Sequence, residues 1–143
     1  TFGSGRDALN ERQPFALMVS YPDPHTPLEI PRKYAELVPP ESVRVPPLRN
    51  GEFDGPEVPE RNRVLYEMIG LNEDSEEDKR GATAAYLAMC RFLDDAVGRI
   101  MDKLDDLGLR DDTIIVFTAD HGDFAWEHNM PLRGKVLDRI RGR

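Results

Sequence analysis

The chain has 143 residues, enough for about one domain, with 39% hydrophobic and 32% charged residues. Its net charge of −8 argues against a nucleic-acid partner, which calls for a basic face. No stretch approaches the ~20 apolar residues of a membrane span, and the single cysteine, Cys90, excludes an internal disulfide and leaves the compartment open.

Residues 1–13 are polar and contain glycine, as in a weakly ordered lead-in or the tail of an upstream element. Pro14-Phe15-Ala16-Leu17-Met18-Val19-Ser20-Tyr21 follows as a nearly continuous apolar run. Such a run suits a strand buried on both faces, as in a parallel sheet covered by helices. It ends in Pro22-Asp23-Pro24-His25-Thr26-Pro27, where three prolines stop the strand and stiffen the loop around His25. Ile30 to Leu37 reads as one short helix with Pro31 in its first turn. Residues 39–59 hold six of the twelve prolines and two glycines, so 39–70 is a loop-rich excursion, with a short helix over Arg61–Ile69 ended by Gly70.

A long helix is expected over 75–107. Ser75 and Asp78 resemble a capping pair, and Glu76, Glu77 and Asp78 suit the positive end of the helix dipole. Tyr86, Met89, Cys90, Leu93, Val97, Ile100, Leu104 and Leu107 recur at 3–4 spacing and mark the buried stripe. Gly108 is placed to close the helix in a left-handed cap. A second apolar run, Thr113 to Thr118, is rich in β-branched residues and reads as another buried strand. It delivers Asp120, His121 and Gly122 at its carboxyl end, where open α/β sheets hold their ligands. Two runs that each end in a histidine predict an α/β fold: a partial parallel-type sheet with flanking helices, in which His25 and the Asp120–His121 couple face a common pocket. From residue types alone, Asp120 and His121 suit metal ligation, or a strand-end turn in which the aspartate accepts backbone hydrogen bonds. Val136 to Arg143 carries Arg139, Arg141 and Arg143 and no strand signal.

The Pro14–Pro27 segment, the Asp94–Arg99 turn of the helix, Leu107 to Asp123 with its Asp-His-Gly, and Glu127-His128 with Lys135 together resemble the sulfatase family of the alkaline phosphatase superfamily. The resemblance covers most of residues 14–135. It implies a fragment, spanning 1–143, of an alkaline-phosphatase-like sulfatase domain whose parent hydrolyses small-molecule or carbohydrate sulfate esters. It implies a divalent cation, usually calcium, held in part by Asp120 and His121; calcium prefers oxygen donors, so the imidazole leaves manganese open. It implies that His25 contacts the ester and passes a proton to the leaving oxygen, that Lys135 is a sulfate-contacting cation, and that His128 lines the substrate pocket. The plainer alternatives are a surface loop histidine at 25, a solvated lysine at 135 and a surface or bracing pair at Glu127–His128. Asp23 and Asp123 read as turn residues, or as groups that support the metal ligands from behind.

The family nucleophile, a formylglycine made in a C/S-x-P-x-R motif, has no counterpart here: Cys90 is followed by Arg91, Phe92, Leu93 and Asp94. The upstream aspartate pair of the metal site is not visible either. A middle fragment, inactive when isolated, is therefore expected. Phosphodiester or phosphonate ester hydrolysis on the same scaffold is the competing enzyme class.

Overall fold

A computed structural model describes residues 14–47, 50–69 and 74–130. The expectations for 1–13, Gly70, Lys135 and 136–143 lie outside the described residues.

The organising element is a 31-residue helix. Among the described residues three helices form, α1 (Arg32–Ala35), α2 (Glu60–Ile69) and α3 (Glu76–Asp106), with single 3-10 turns at Pro40–Ser42 and Glu127–Asn129. Both ends of α3 are set by local chemistry. The Ser75 hydroxyl oxygen accepts from the Asp78 backbone N–H at 3.1 Å, and the Asp78 carboxylate accepts from the Ser75 N–H at 3.3 Å, a reciprocal capping box. At the other end Gly108 has φ +64; its N–H donates to the Asp105 carbonyl at 2.9 Å, and the Leu109 N–H donates to Leu104 at 2.9 Å. That pair of bonds is a Schellman closure, which needs a left-handed residue at this position.

The glycines of α3 make a paired prediction. A Cβ at Gly98 or Gly108 would meet nothing within 4 Å, so backbone conformation alone decides the effect. Gly98→Ala, in the helix interior, is expected to stabilise by about 0.5–1 kcal/mol. Gly108→Ala, at positive φ, is expected to destabilise by about 1–2 kcal/mol. Denaturant unfolding of the two variants checks both signs.

α1 and the Pro40–Ser42 turn pack along α3. Tyr34 is buried and meets Phe92 edge-on, with ring centroids 5.4 Å apart. Ala84, Ala88, Met89 and Ala96 are the buried apolar residues of α3, and small side chains let the neighbouring chain approach closely. The one buried polar residue there, Thr83, satisfies its hydroxyl on the Lys79 carbonyl at 2.8 Å. The buried line is rotated from the expected one. Met89 is common to both, but Tyr86, Cys90, Leu93, Val97, Ile100 and Leu104 are half-buried and Leu107 is exposed.

That sheet does not form among the described residues. The segments 14–21 and 113–118 run without ladder pairing. Their side chains are bare: Leu17 is 74% exposed, Met18 89%, Ile114 93% and Phe117 80%. A strand exists only through hydrogen bonds to a neighbour, and a continuously apolar one only with a layer over each face. The two runs do not supply this for each other. The sheet of the α/β expectation is thus not confirmed by the described residues, which are helical where regular; the short helices stand close to where they were expected, with Pro31 just outside α1 as its N-cap.

The other centre of packing involves residues 50–69 and 120–130. Phe124 and Met130 form its buried core, with Phe53 and Tyr66 packed against them.

Candidate functional site

The segment after residue 118 turns at once. The His121 N–H donates to Asp120 Oδ1 at 3.0 Å, and Asp123 Oδ1 accepts the Ala125 N–H at 2.9 Å, so Asp123 takes the expected turn role. The Asp120 side chain is 81% exposed and that of His121 20%. His121 Nδ1 lies 2.7 Å from the Gly122 carbonyl oxygen. A carbonyl can only accept, so Nδ1 carries the hydrogen in that contact. The other ring nitrogen, Nε2, is buried and has no hydrogen-bond partner. It stands 3.4 Å from Asp120 Oδ2, within ion-pair range but without hydrogen-bond geometry. This sets a ring-nitrogen lone pair beside a carboxylate oxygen, an arrangement that a cation relieves. An imidazole with one nitrogen tied to a backbone carbonyl and the other free is the usual posture of a metal-ligating histidine. The donor chemistry therefore fits a divalent cation, as two ligands of a larger set. No group of three or more ligating side chains assembles among the described residues.

His25 is exposed in its proline loop. Its N–H donates to the Pro22 carbonyl at 3.1 Å, and its Nδ1 lies 2.6 Å from the Thr26 carbonyl oxygen. By the same reasoning Nδ1 bears the hydrogen, and Nε2 is the atom left for proton exchange. No hydrogen bond, ion pair or ring contact that links His25 to Asp120 or His121 is present. A groove of about 650 Å³ lies elsewhere, between α1 and α3 beside Tyr34 and Phe92, and none of the candidate residues lines it.

His128 is held by a partner to which the sequence did not point. Its Nδ1 is 2.5 Å from Glu52 Oε1, a residue 76 positions earlier, and both side chains are largely buried. Its ring sits edge-on to Phe124, centroids 5.5 Å apart, and to Phe53 at 6.4 Å. Phe53 in turn stacks on Tyr66 at 4.6 Å. Arg63 donates to the carbonyls of Phe53 (3.2 Å), Gly55 (2.7 Å) and Val58 (3.2 Å), which fixes the shape of the loop bearing Glu52. Glu52, Phe53, Arg63 and Tyr66 were missed because no periodicity marks them; an aromatic residue inside a Pro- and Gly-rich loop was the only signal.

On the neighbouring face of α3, Tyr86 and Cys90 are hydrogen-bonded partners close to the Asp123 carboxylate. Burial, then the Cys90 and Asp123 charges, push the Tyr86 phenol up to about 12. Burial is also the largest influence on the Cys90 thiol, which is raised, so Cys90 is a poor nucleophile. Both groups hold their protons more tightly in the folded chain than in the unfolded one. The Tyr86 share of this stability is complete below the ordinary phenol value of 10.0 and is lost as pH rises towards about 12, and the Cys90 share begins to go above the ordinary thiol value of 9.0. Melting temperature is therefore expected to fall across that window, and Tyr86→Phe to flatten the fall.

Comparison with known proteins gives the family of the chain. The family model described as Sulfatase matches residues 5–138. The chain belongs to the sulfatase family. It is 36% identical over 116 residues to a sulfatase of Formosa agariphila, covering 79% of this chain and 23% of that protein. It is 32% identical over 132 residues to iduronate 2-sulfatase of Homo sapiens (80% and 23%) and 32% identical over 120 residues to choline-sulfatase of Rhizobium meliloti (83% and 23%). This sulfatase chain thus spans about a quarter of the length of the curated relatives it matches. No solved structure matches it. The family implies an α/β fold of alkaline-phosphatase type, of which the described residues carry helices and no strands. No helix among them is long and apolar enough to cross a membrane.

Proposed function

We propose that the parent protein of this chain hydrolyses sulfate esters, and that Asp120 and His121 supply part of the site for a divalent cation, calcium or manganese. The observation that carries the reading is the family match over residues 5–138, which includes Asp120 and His121. It is supported by the unpartnered Nε2 of His121 beside Asp120 Oδ2. A bound cation would supply charge neutralisation for the sulfuryl oxygens. His25, with Nδ1 tied to Thr26, presents Nε2 to the ester and protonates the leaving oxygen in its imidazolium form. Lys135 offsets the charge that builds on the bridging oxygen as the S–O bond opens. As an isolated piece the chain is expected to be inactive, since the residues assigned here bind, orient and move protons but include no nucleophile. The test is sulfate release from aryl and sugar sulfates by the whole protein. Turnover of matched aryl phosphonates with no release of sulfate would overturn it.

A further inference from the structure

We propose that Glu52 and His128 form a latch that docks the 50–69 excursion beside the Asp120–His121 segment, so that the Glu52–Gly55 loop becomes a wall sorting esters by the bulk of their leaving group. The sorting role rests on the sulfatase reading above; the latch itself does not.

Four features converge on it. The Glu52–His128 contact joins the excursion to the loop after Asp123, and with side chains only 22% and 13% exposed it is sheltered from competing water. The excursion arrives as a preformed shape, because one guanidinium, Arg63, ties three of its carbonyls. His128 itself has φ 59, and Ala125 and Trp126 have φ 44 and 74. Non-glycine residues hold such angles only where the surroundings over-determine them, and here the surroundings are the Glu52 bond, the Phe53 and Phe124 rings and the Trp126 N–H bond to the Met130 carbonyl at 3.0 Å. Finally, Phe124, on which the excursion packs, is only three residues past His121, within about 11 Å of chain. His128 Nδ1 is engaged by a carboxylate, which gives His128 a positioning role in its loop.

The experiment uses the whole protein and two readouts. Native-state protease cleavage within 50–58 reports docking whether or not any ester is turned over. Glu52→Ala is expected to speed cleavage about tenfold and His128→Ala, which also loses the Phe53 and Phe124 ring contacts, by at least as much, with the double variant no faster than His128→Ala alone, because the Glu52 contact is already gone there. Catalytically, Glu52→Ala is expected to change KM for a bulky sugar sulfate at least about fivefold while kcat on a compact aryl sulfate is kept, and Glu52→Gln, whose amide oxygen still accepts from the imidazole, to restore both readouts. Unchanged cleavage, or effects of the two alanine variants that simply add, would overturn the latch. An equal loss on both esters would overturn the wall. A whole protein that releases no sulfate while the cleavage pattern holds would remove the sulfatase reading and the wall and leave the latch standing.

Discussion

Asp120→Asn in the whole protein is expected to lower kcat/KM for sulfate esters by at least about 100-fold. Loss of a group that merely orients a metal ligand costs 10–100-fold, so replacing a ligand itself costs no less. The amide keeps the shape of the side chain and one oxygen, and that oxygen can still accept the His121 N–H that Oδ1 accepts now at 3.0 Å. The turn should survive, and the change isolates charge. Two readouts separate ligation from folding. Calcium or manganese retained after dialysis should drop below one equivalent, and the melting temperature without added cation should hardly move. A variant that keeps both its cation and its rate would show that Asp120 is only a turn residue.

Trp126→Ala is expected to destabilise the fold by about 3–5 kcal/mol, the usual cost of deleting a buried aromatic side chain. Trp126 is 5% exposed, and the ammonium of Lys79, in the first turn of α3, lies 5.2 Å from its ring centre. The ring thus ties the start of α3 to the loop that follows Asp120 and His121. Truncation leaves a cavity and removes a cation–π contact worth about 0.5–1 kcal/mol or more. The backbone at 126, with φ 74, stays costly for alanine, so nothing is regained there. Denaturant titration gives the magnitude. A loss below 1 kcal/mol would mean that the ring is not part of the packed core.

What could be read in the sequence was what is local. α3 was legible at both ends because Ser75, Asp78 and Gly108 act on backbone groups within a few residues of themselves. Asp120 and His121 stood out because an acid and an imidazole interrupt an apolar run. The burial of α3 was read one face away from where it lies, since periodicity reveals that a helix has an apolar stripe but not which neighbour arrives. The buried alanines Ala84, Ala88 and Ala96 look unremarkable in sequence, whereas Leu93, Val97 and Leu104 look like core. The runs at 14–21 and 113–118 were correctly seen as apolar, but pairing is a property of two segments, and neither finds its partner among the described residues. Glu52 and His128 are the extreme case: 76 residues separate them, and only folding puts them together.

The bare side chains of Leu17, Met18, Ile114, Val116 and Phe117 carry a practical consequence. Two ribbons of uncovered hydrocarbon, each with free amide and carbonyl groups along its length, are templates for cross-β stacking between copies. Produced alone, this polypeptide should collect in inclusion bodies. A soluble preparation will need flanking sequence that shields both ribbons, and the shortest extension that clears the pellet will identify the segments of the parent that cover them.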